Sequence, residues 1–238
     1  MRQRMIMGGP PSEDDGGMSD TGRPADPLSI RVMIVDDHEV FSSSLATVLE
    51  AEADLTVVGV AASAAEAVTR AATVQPDVVL LDHRLPDGDG IDLIAPLLGL
   101  DPAPQVVMLT ASTADHVLIA AIEAGAAGFV DKSRSLNEVM SSVRSAAAGE
   151  ASVSPAMLAR LLPRLRRRAT DPAWTLPERE REVLAQLAQG LSNAEIAQKM
   201  FVSVHTVRNH VANLSAKLGA HSKLEVLSIA IREGLING

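Results

Sequence analysis

Chemistry in this chain is concentrated where short apolar runs end in polar side chains. Asp36 and Asp37 follow Val32–Val35, Asp82 follows Val78–Leu81, Thr110 follows Val106–Leu109, and Lys132 follows Gly128–Val130. An isolated carboxylate such as Asp82 can attack a phosphoryl group and form an acyl phosphate. The incoming group is anionic, and Asp36 and Asp37 would repel it. A Mg2+ bridging those carboxylates and a phosphoryl oxygen removes the repulsion. Lys132 would hold another oxygen by fixed charge. The Thr110 hydroxyl would donate to a third, with small Ala111 beside it leaving room for entry. Each residue alone has a plainer reading, since an Asp at a strand end is often a helix cap and a lysine a surface charge. Only the joint placement is specific. His38 and His83 flank the set without fixed partners and make no metal centre by themselves. Asp87-Gly88-Asp89-Gly90 lacks the later Glu of a calcium loop and reads as a turn feeding the next helix.

The elements that must position these groups alternate. Val32–Val35, Thr56–Val60, Val78–Leu81, Val106–Leu109 and Gly128–Val130 are short and apolar, as buried parallel strands are. Helical patterns separate them at about 39–52, 63–74, 90–99, 114–124 and 135–148. Five such units predict a doubly wound open α/β sheet, whose ligands sit beyond the strands' carboxyl ends. That rule brings all the polar islands to one crevice.

On either side the pattern changes. Residues 1–29 are rich in Gly, Pro, Ser and Asp and read as a disordered leader before a domain at 30–149. Residues 150–173, with Pro155, Pro163, Pro172 and the basic run Arg164–Arg168, read as a linker with one short helix near 154–168. Residues 174–238 carry no strand signal and look like four helices.

Composition narrows the function classes. At 238 residues and 47% hydrophobic content the chain can bury one large core or two ordinary ones. It has no cysteine, so disulfides and thiolate metal sites are excluded. No run of about 18 apolar residues predicts a membrane span, and the start lacks the layout of a secretion signal, so a cytoplasmic protein is expected. The net charge of −9 is uneven: residues 31–150 carry 6 basic and 18 acidic side chains, residues 151–238 carry 12 and 7. An acidic first body and a basic second one suggest two tasks, the second a contact with a polyanion.

The last four helices support that division. Pro177 and the acidic run after it open the first, and Gly190 stops it. Ser192 and Glu195 are spaced as a capping box for a short helix ending near Met200. After a tight break at Phe201-Val202, Ser203 caps Val204–Leu218. Two helices so closely joined make a helix-turn-helix, whose second helix can lie in the major groove. Val207, Val211, Leu214 and Leu218 should face inward, leaving His205, Arg208, Asn209, Ala212 and Asn213 toward base edges. Lys217, Lys199, Ser203 and Thr206 suit backbone phosphates. In the last helix, Lys223–Leu235, the stripe Leu227, Ile231 and Leu235 serves equally as a dimer face or as domain core.

Residues 31–150 resemble the receiver domain of bacterial two-component response regulators. The matching pieces are Val-Asp36-Asp37-His, Leu-Leu-Asp82-His-Arg-Leu-Pro-Asp-Gly-Asp-Gly, Met-Leu-Thr110-Ala-Ser and Gly-Phe129-Val-Asp-Lys132. The C-terminal helices resemble the LuxR-type helix-turn-helix through Leu176-Pro-Glu-Arg-Glu180, Gly190-Leu-Ser-Asn-Ala-Glu195-Ile-Ala, Ser203-Val-His-Thr206-Val207-Arg208-Asn209-His210-Val211 and Lys217-Leu218-Gly219. The combined order is similar to the NarL/FixJ family. That resemblance implies a flavodoxin/CheY-like sheet of order 2-1-3-4-5 followed by the small all-α head. It implies a sensor histidine kinase as phosphodonor, Asp82 as acceptor, and Mg2+ on Asp36, Asp37, Asp82 and the backbone carbonyl at Arg84. It implies Thr110 and Phe129 as a switch pair, Phe129 acting by packing alone because it has no hydroxyl. It also implies a transcription regulator rather than an enzyme, binding double-stranded DNA as a homodimer. Ser133 stands where many receivers have Pro, and Ala212 where many heads carry a second basic residue. A haloacid-dehalogenase-like phosphatase uses similar residues but places its nucleophile in an Asp-x-Asp after the first strand, an order this chain lacks. A constitutive DNA-binding protein, its receiver serving only to dimerise, is the remaining alternative.

Overall fold

Side chains alternate across a strand, so an apolar strand buried on both faces must feed two cores. The computed structural model, which describes residues 29–111, 114–133, 135–151, 153 and 176–236, shows this directly. Five parallel strands, β1 (Ile30–Val35), β2 (Leu55–Ala61), β3 (Val78–Asp82), β6 (Gln105–Thr110) and β7 (Gly128–Asp131), line up as β2-β1-β3-β6-β7. With the two-residue hairpin strands β4 (Arg84–Leu85) and β5 (Gly88–Asp89) set aside, this is the expected order 2-1-3-4-5. Val32, Ile34, Val78, Leu80, Val107, Leu109 and Val130 enter one core. Met33, Val35, Val79, Leu81, Val106, Met108 and Phe129 enter the other.

Helices α1 (Glu39–Glu50) and α5 (Leu136–Ala147) cover the first face through Leu45, Leu49, Val139 and Val143. Helices α2 (Ala64–Val74), α3 (Gly90–Leu98) and α4 (Asp115–Glu123) cover the second through Ala67, Ala71, Ile94, Leu97, Leu118 and Ile122. The turn read at 87–90 is tighter than a simple connection. Asp89 caps α3 by accepting from Ile91 N–H, while the Asp87 carboxylate accepts from Ala64 and Ala65 N–H at 2.8 and 3.0 Å. Those backbone donors at the start of α2 hold the Asp87 carboxyl below its usual range.

The C-terminal helices are α6 (Glu178–Ala188), α7 (Asn193–Met200), α8 (Val204–Leu218) and α9 (Lys223–Arg232). Pro177 is the cap of α6 rather than its first residue. The predicted capping box on α7 is present, Ser192 accepting from Glu195 N–H and Glu195 from Ser192 N–H. Ser203 caps α8 and Gly219, at φ +66, ends it in the left-handed conformation that glycine adopts without strain. The expected last helix reached Leu235, but Gly234 turns left-handed and Leu235 N–H closes back on Ala230 O, so it stops at Arg232. Val183, Leu187, Ile196, Val207, Val211, Leu214 and Val226 form the core of this head. Among the described residues no helix is long and apolar enough to cross a membrane. The leader read at 1–29, apart from Ser29, and the linker helix near 154–168 lie outside the described residues.

Candidate functional site

The carboxyl ends of β1, β3, β6 and β7 meet at one rim, so the residues just beyond them converge. Asp36, Asp82 and Thr110 are all buried there. Lys132 Nζ lies 2.6 Å from Asp36 Oδ2 and 2.8 Å from Asp82 Oδ2. Its position is set by register: β6 pairs with β7, and Lys132 N–H donates to Thr110 O at 3.0 Å. Partial burial pulls the Lys132 ammonium down, but hydrogen bonds and charge from Asp36 and Asp82 outweigh it and raise its pKa. A cleft of about 470 Å3 opens over the group, lined by Asp82, Arg84, Thr110, Ala111 and Lys132 together with His38, Phe41 and His83.

Asp82 is held by a close backbone approach. Gly90 N–H donates to His83 O at 2.8 Å, and a Cβ on Gly90 would stand 2.0 Å from Asp82 O. No side chain larger than hydrogen fits without moving the loop that presents Asp82. The carboxylates Asp36 and Asp37 are not helix caps: α1 starts from His38, whose N–H donates to Asp36 Oδ1 at 2.9 Å.

This donor set fits a divalent cation. Asp36, Asp37, His38 and Asp82 offer atoms that lie within 4.8 Å of one another. Three carboxylates face one ammonium, an excess of negative charge. Asp36 Oδ2 is buried and, among the described residues, receives no well-directed hydrogen bond, although the Lys132 ammonium lies 2.6 Å away. A hard cation taking oxygen ligands would satisfy both.

The second face lies on α8. Val207, Val211, Leu214 and Leu218 are buried as expected, and His205, Arg208, Asn209 and Ala212 are exposed. Ser203 and Thr206 are joined hydroxyl to hydroxyl at 2.8 Å, and Asn209 Nδ2 lies 3.3 Å from His205 Nε2.

Comparison with known proteins agrees with both halves. Residues 32–144 match the response regulator receiver domain family, and residues 175–230 match the bacterial regulatory proteins, luxR family. The DNA-binding transcriptional activator DevR/DosR of Mycobacterium tuberculosis is 40% identical over 203 residues, spanning 84% of this chain and 94% of that one. The transcriptional regulatory protein LiaR of Bacillus subtilis is 32% identical over 87% of this chain and its own full length. A LuxR-family response regulator crystal structure from Aurantimonas sp. superposes with a TM-score of 0.53 at 29% identity, covering 57% of this chain and 97% of that chain. The chain belongs to the LuxR-type response regulators.

In this response regulator the structure also gives contacts to two groups that the sequence reading left without a role. Phe41, one turn into α1, places its ring centroid 5.0 Å from Lys132 Nζ, a cation–π contact. His38 Nδ1 is 2.7 Å from Asp37 Oδ1 and 3.2 Å from Asp36 Oδ1, so it has partners after all. An aromatic and a histidine on the first turn after an acidic pair were the available signals.

For two further readings the structure adds the contacts these side chains make. Lys217, expected at a phosphate, places its ammonium 2.7 Å from both oxygens of buried Glu180, pinning α8 to α6, while its side chain stays 42% exposed. Of the dimer candidates, Leu227 lies in the core of the head, Ile231 is 2% exposed, and Leu235 packs half-buried against that core. The reason is that α9 is covered on two sides. Val226 and Ala230 face the head's core, while Leu224 joins the receiver core on the α4 side. Ser222, which caps α9, donates its hydroxyl to Ala126 O at 2.9 Å.

Proposed function

We propose that this response regulator takes a phosphoryl group on Asp82 from a sensor histidine kinase in the cytoplasm and in that state binds promoter DNA as a dimer. The domains would divide at 30–149 for the receiver, 150–173 for the linker and 174–238 for the head. The observation that carries the reading is Lys132 Nζ lying 2.6 and 2.8 Å from Asp36 and Asp82 under an open cleft. Asp36, Asp37, Asp82 and the Arg84 backbone carbonyl would hold Mg2+. When bound, the cation would offset the carboxylate charge and draw electron density from the phosphoryl group.

An Asp82 carboxylate oxygen attacks phosphorus, the P–N bond to the donor imidazole breaks, and the imidazole departs with the electron pair. Lys132 exchanges its contact with Asp82 for a phosphoryl oxygen, and Thr110 offers its hydroxyl to another. Thr110 ends β6 just before α4, and Phe129 is buried in the same core as Leu118 and Ile122 of α4. Helix α4 and the turn after it are what α9 rests on. A phosphate that reseats α4 therefore shifts the seat of the head. Such a ligand moves the population only by its differential affinity for the two arrangements, and a charge of about −1.5 to −2 beside Lys132 is a source of that difference.

In the released head, Arg208 and Asn209 would read base edges, with His205 and Ala212 beside them and Ser203 and Thr206 on phosphates. The test compares wild type and Asp82→Asn, each with and without a small phosphodonor and Mg2+. Mass spectrometry should show one added phosphate on wild type alone, and only that sample should gain DNA affinity. Equal affinity in all four samples would overturn the switch.

A further inference from the structure

Glu150 follows α5 and joins the receiver to the head by charge. Its carboxylate accepts from Asn193 N–H, at the first residue of α7, at 3.0 Å. It also accepts from Lys223 Nζ at 2.7 Å. The Lys223 side chain is only 5% exposed, and its other contacts are the neutral oxygens Leu191 O at 3.2 Å and Asn193 Oδ1 at 3.4 Å. A buried ammonium needs an anion, and the carboxylate in contact comes from outside the head, from the first linker residue, whose own N–H is tied to Ser145 O of α5 at 2.9 Å.

The surroundings say what else that position suits. Asn193 and Lys223 line one cleft with Arg208 and Ala212 of α8, and its opposite wall is Gln105, Ala148 and Gly149 of the receiver. The receiver thus stands on the side that DNA must occupy when α8 enters the major groove. In a helix-turn-helix the first helix crosses the nucleic-acid backbone. The Asn193 N–H at its start and the Lys223 ammonium beside it are donors of the kind that phosphates take.

We propose that Glu150 is an internal competitor of DNA, its carboxylate filling the position of a backbone phosphate between Asn193 N–H and Lys223. This rests on the DNA-binding reading above. One anion at a time can satisfy both donors, so domain closure and phosphate contact exclude each other here. Opening the domains takes Glu150 from Lys223, leaves Glu195 of the head as the nearby carboxylate acting by charge rather than by contact, and frees the position for a phosphate.

The test uses the full-length unphosphorylated chain and a mixed-sequence DNA duplex across a salt series, which reads phosphate contacts without an operator. Glu150→Gln is expected to bind about tenfold more tightly than wild type, the scale of an ordinary coupling between sites. Adding Lys223→Gln should weaken that binding and make the log–log salt slope shallower by about one. Lys223→Arg in the same background keeps the charge and should retain the slope, which covers the case in which Lys223→Gln unfolds the head. Affinity of Glu150→Gln equal to wild type overturns the competition. A slope that stays the same when the charge at 223 is removed from a folded head overturns the phosphate position. Absence of binding by every form at every salt overturns the DNA-binding reading itself, a result distinct from either.

Discussion

The acidic pocket and the α8 face belong to one chain but are finished in different ways. The pocket is completed from within: strand register alone brings Asp36, Asp82, Thr110 and Lys132 together, and Lys132 already touches two carboxylates. The α8 face, proposed above to read DNA, would be completed from outside. His205, Arg208, Asn209 and Ala212 are exposed, and Arg208 and Ala212 share their cleft with receiver residues. A self-completed site tolerates almost no displacement of its backbone. A site waiting for a partner tolerates more, and its stability lies in the helices behind it.

The sharpest way to break that contrast is to add one methyl group under Asp82. Gly90→Ala would place a Cβ 2.0 Å from Asp82 O, against backbone that cannot rotate away. Overpacking at such a point should cost about 3 kcal/mol, seen as a lower denaturation midpoint of the receiver. It should also slow phosphorylation by a small phosphodonor, because the displaced carbonyl carries Asp82 with it. A variant that melts and phosphorylates like wild type would show the pocket to be more forgiving than the contrast requires.

On the α8 side the corresponding weak point is behind the reading surface. Glu180 is 5% exposed and both its oxygens meet Lys217. Lys217→Met leaves that carboxylate buried without a partner. A fully buried orphan costs more, but the Lys217 side chain is 42% exposed and water can reach the gap, so about 2 kcal/mol is expected. The salt slope of DNA binding should not change, since the lysine is engaged inside the head. A slope shallower by about one, with unaltered stability, would return Lys217 to a phosphate and blur the distinction.

The same distinction explains what the sequence could disclose. Four of the five strands end in, or directly before, a residue of the pocket, so strand periodicity plus the carboxyl-end rule was enough to gather it. Gly90 was legible only as a turn, because the approach of its Cα to Asp82 O is a fact of the folded loop. Lys217 and Leu227 stayed open because a helical stripe has two faces, and sequence cannot tell a lysine reaching DNA from one reaching Glu180 on α6, or a dimer face from domain core. Likewise α9 displays an apolar repeat that suits a second copy, its own core or the receiver, and here the core and the receiver take it. Glu150 carried no signal at all, since its partners Asn193 and Lys223 lie far along the chain, beyond the linker in the head.

The smallest expected effect tests whether the receiver outside its pocket is as unforgiving as within it. Arg144 on α5 donates to Asp54 from Nε and Nη2 at 2.7 Å and to Glu52 from Nη2 at 2.7 Å. The hydrogen bonds from Arg144 hold the Asp54 carboxyl below its usual range and raise the guanidinium further. Arg144 and Asp54 are both more than a third exposed, so solvent screening leaves about 0.5 kcal/mol for the cluster. The lowered folded-state pKa of Asp54 means the unfolded chain binds its proton first as pH falls. The contribution is therefore complete above the unfolded aspartate value of about 3.9 and disappears as pH drops through the lower folded value. Wild type should exceed Arg144→Ala in urea stability at neutral pH, and the two curves should converge below that range. A gap that persists in acid would mean that Arg144 acts through packing of its stem against α5 rather than through charge, and that the receiver's surface is nearly as exacting as its pocket.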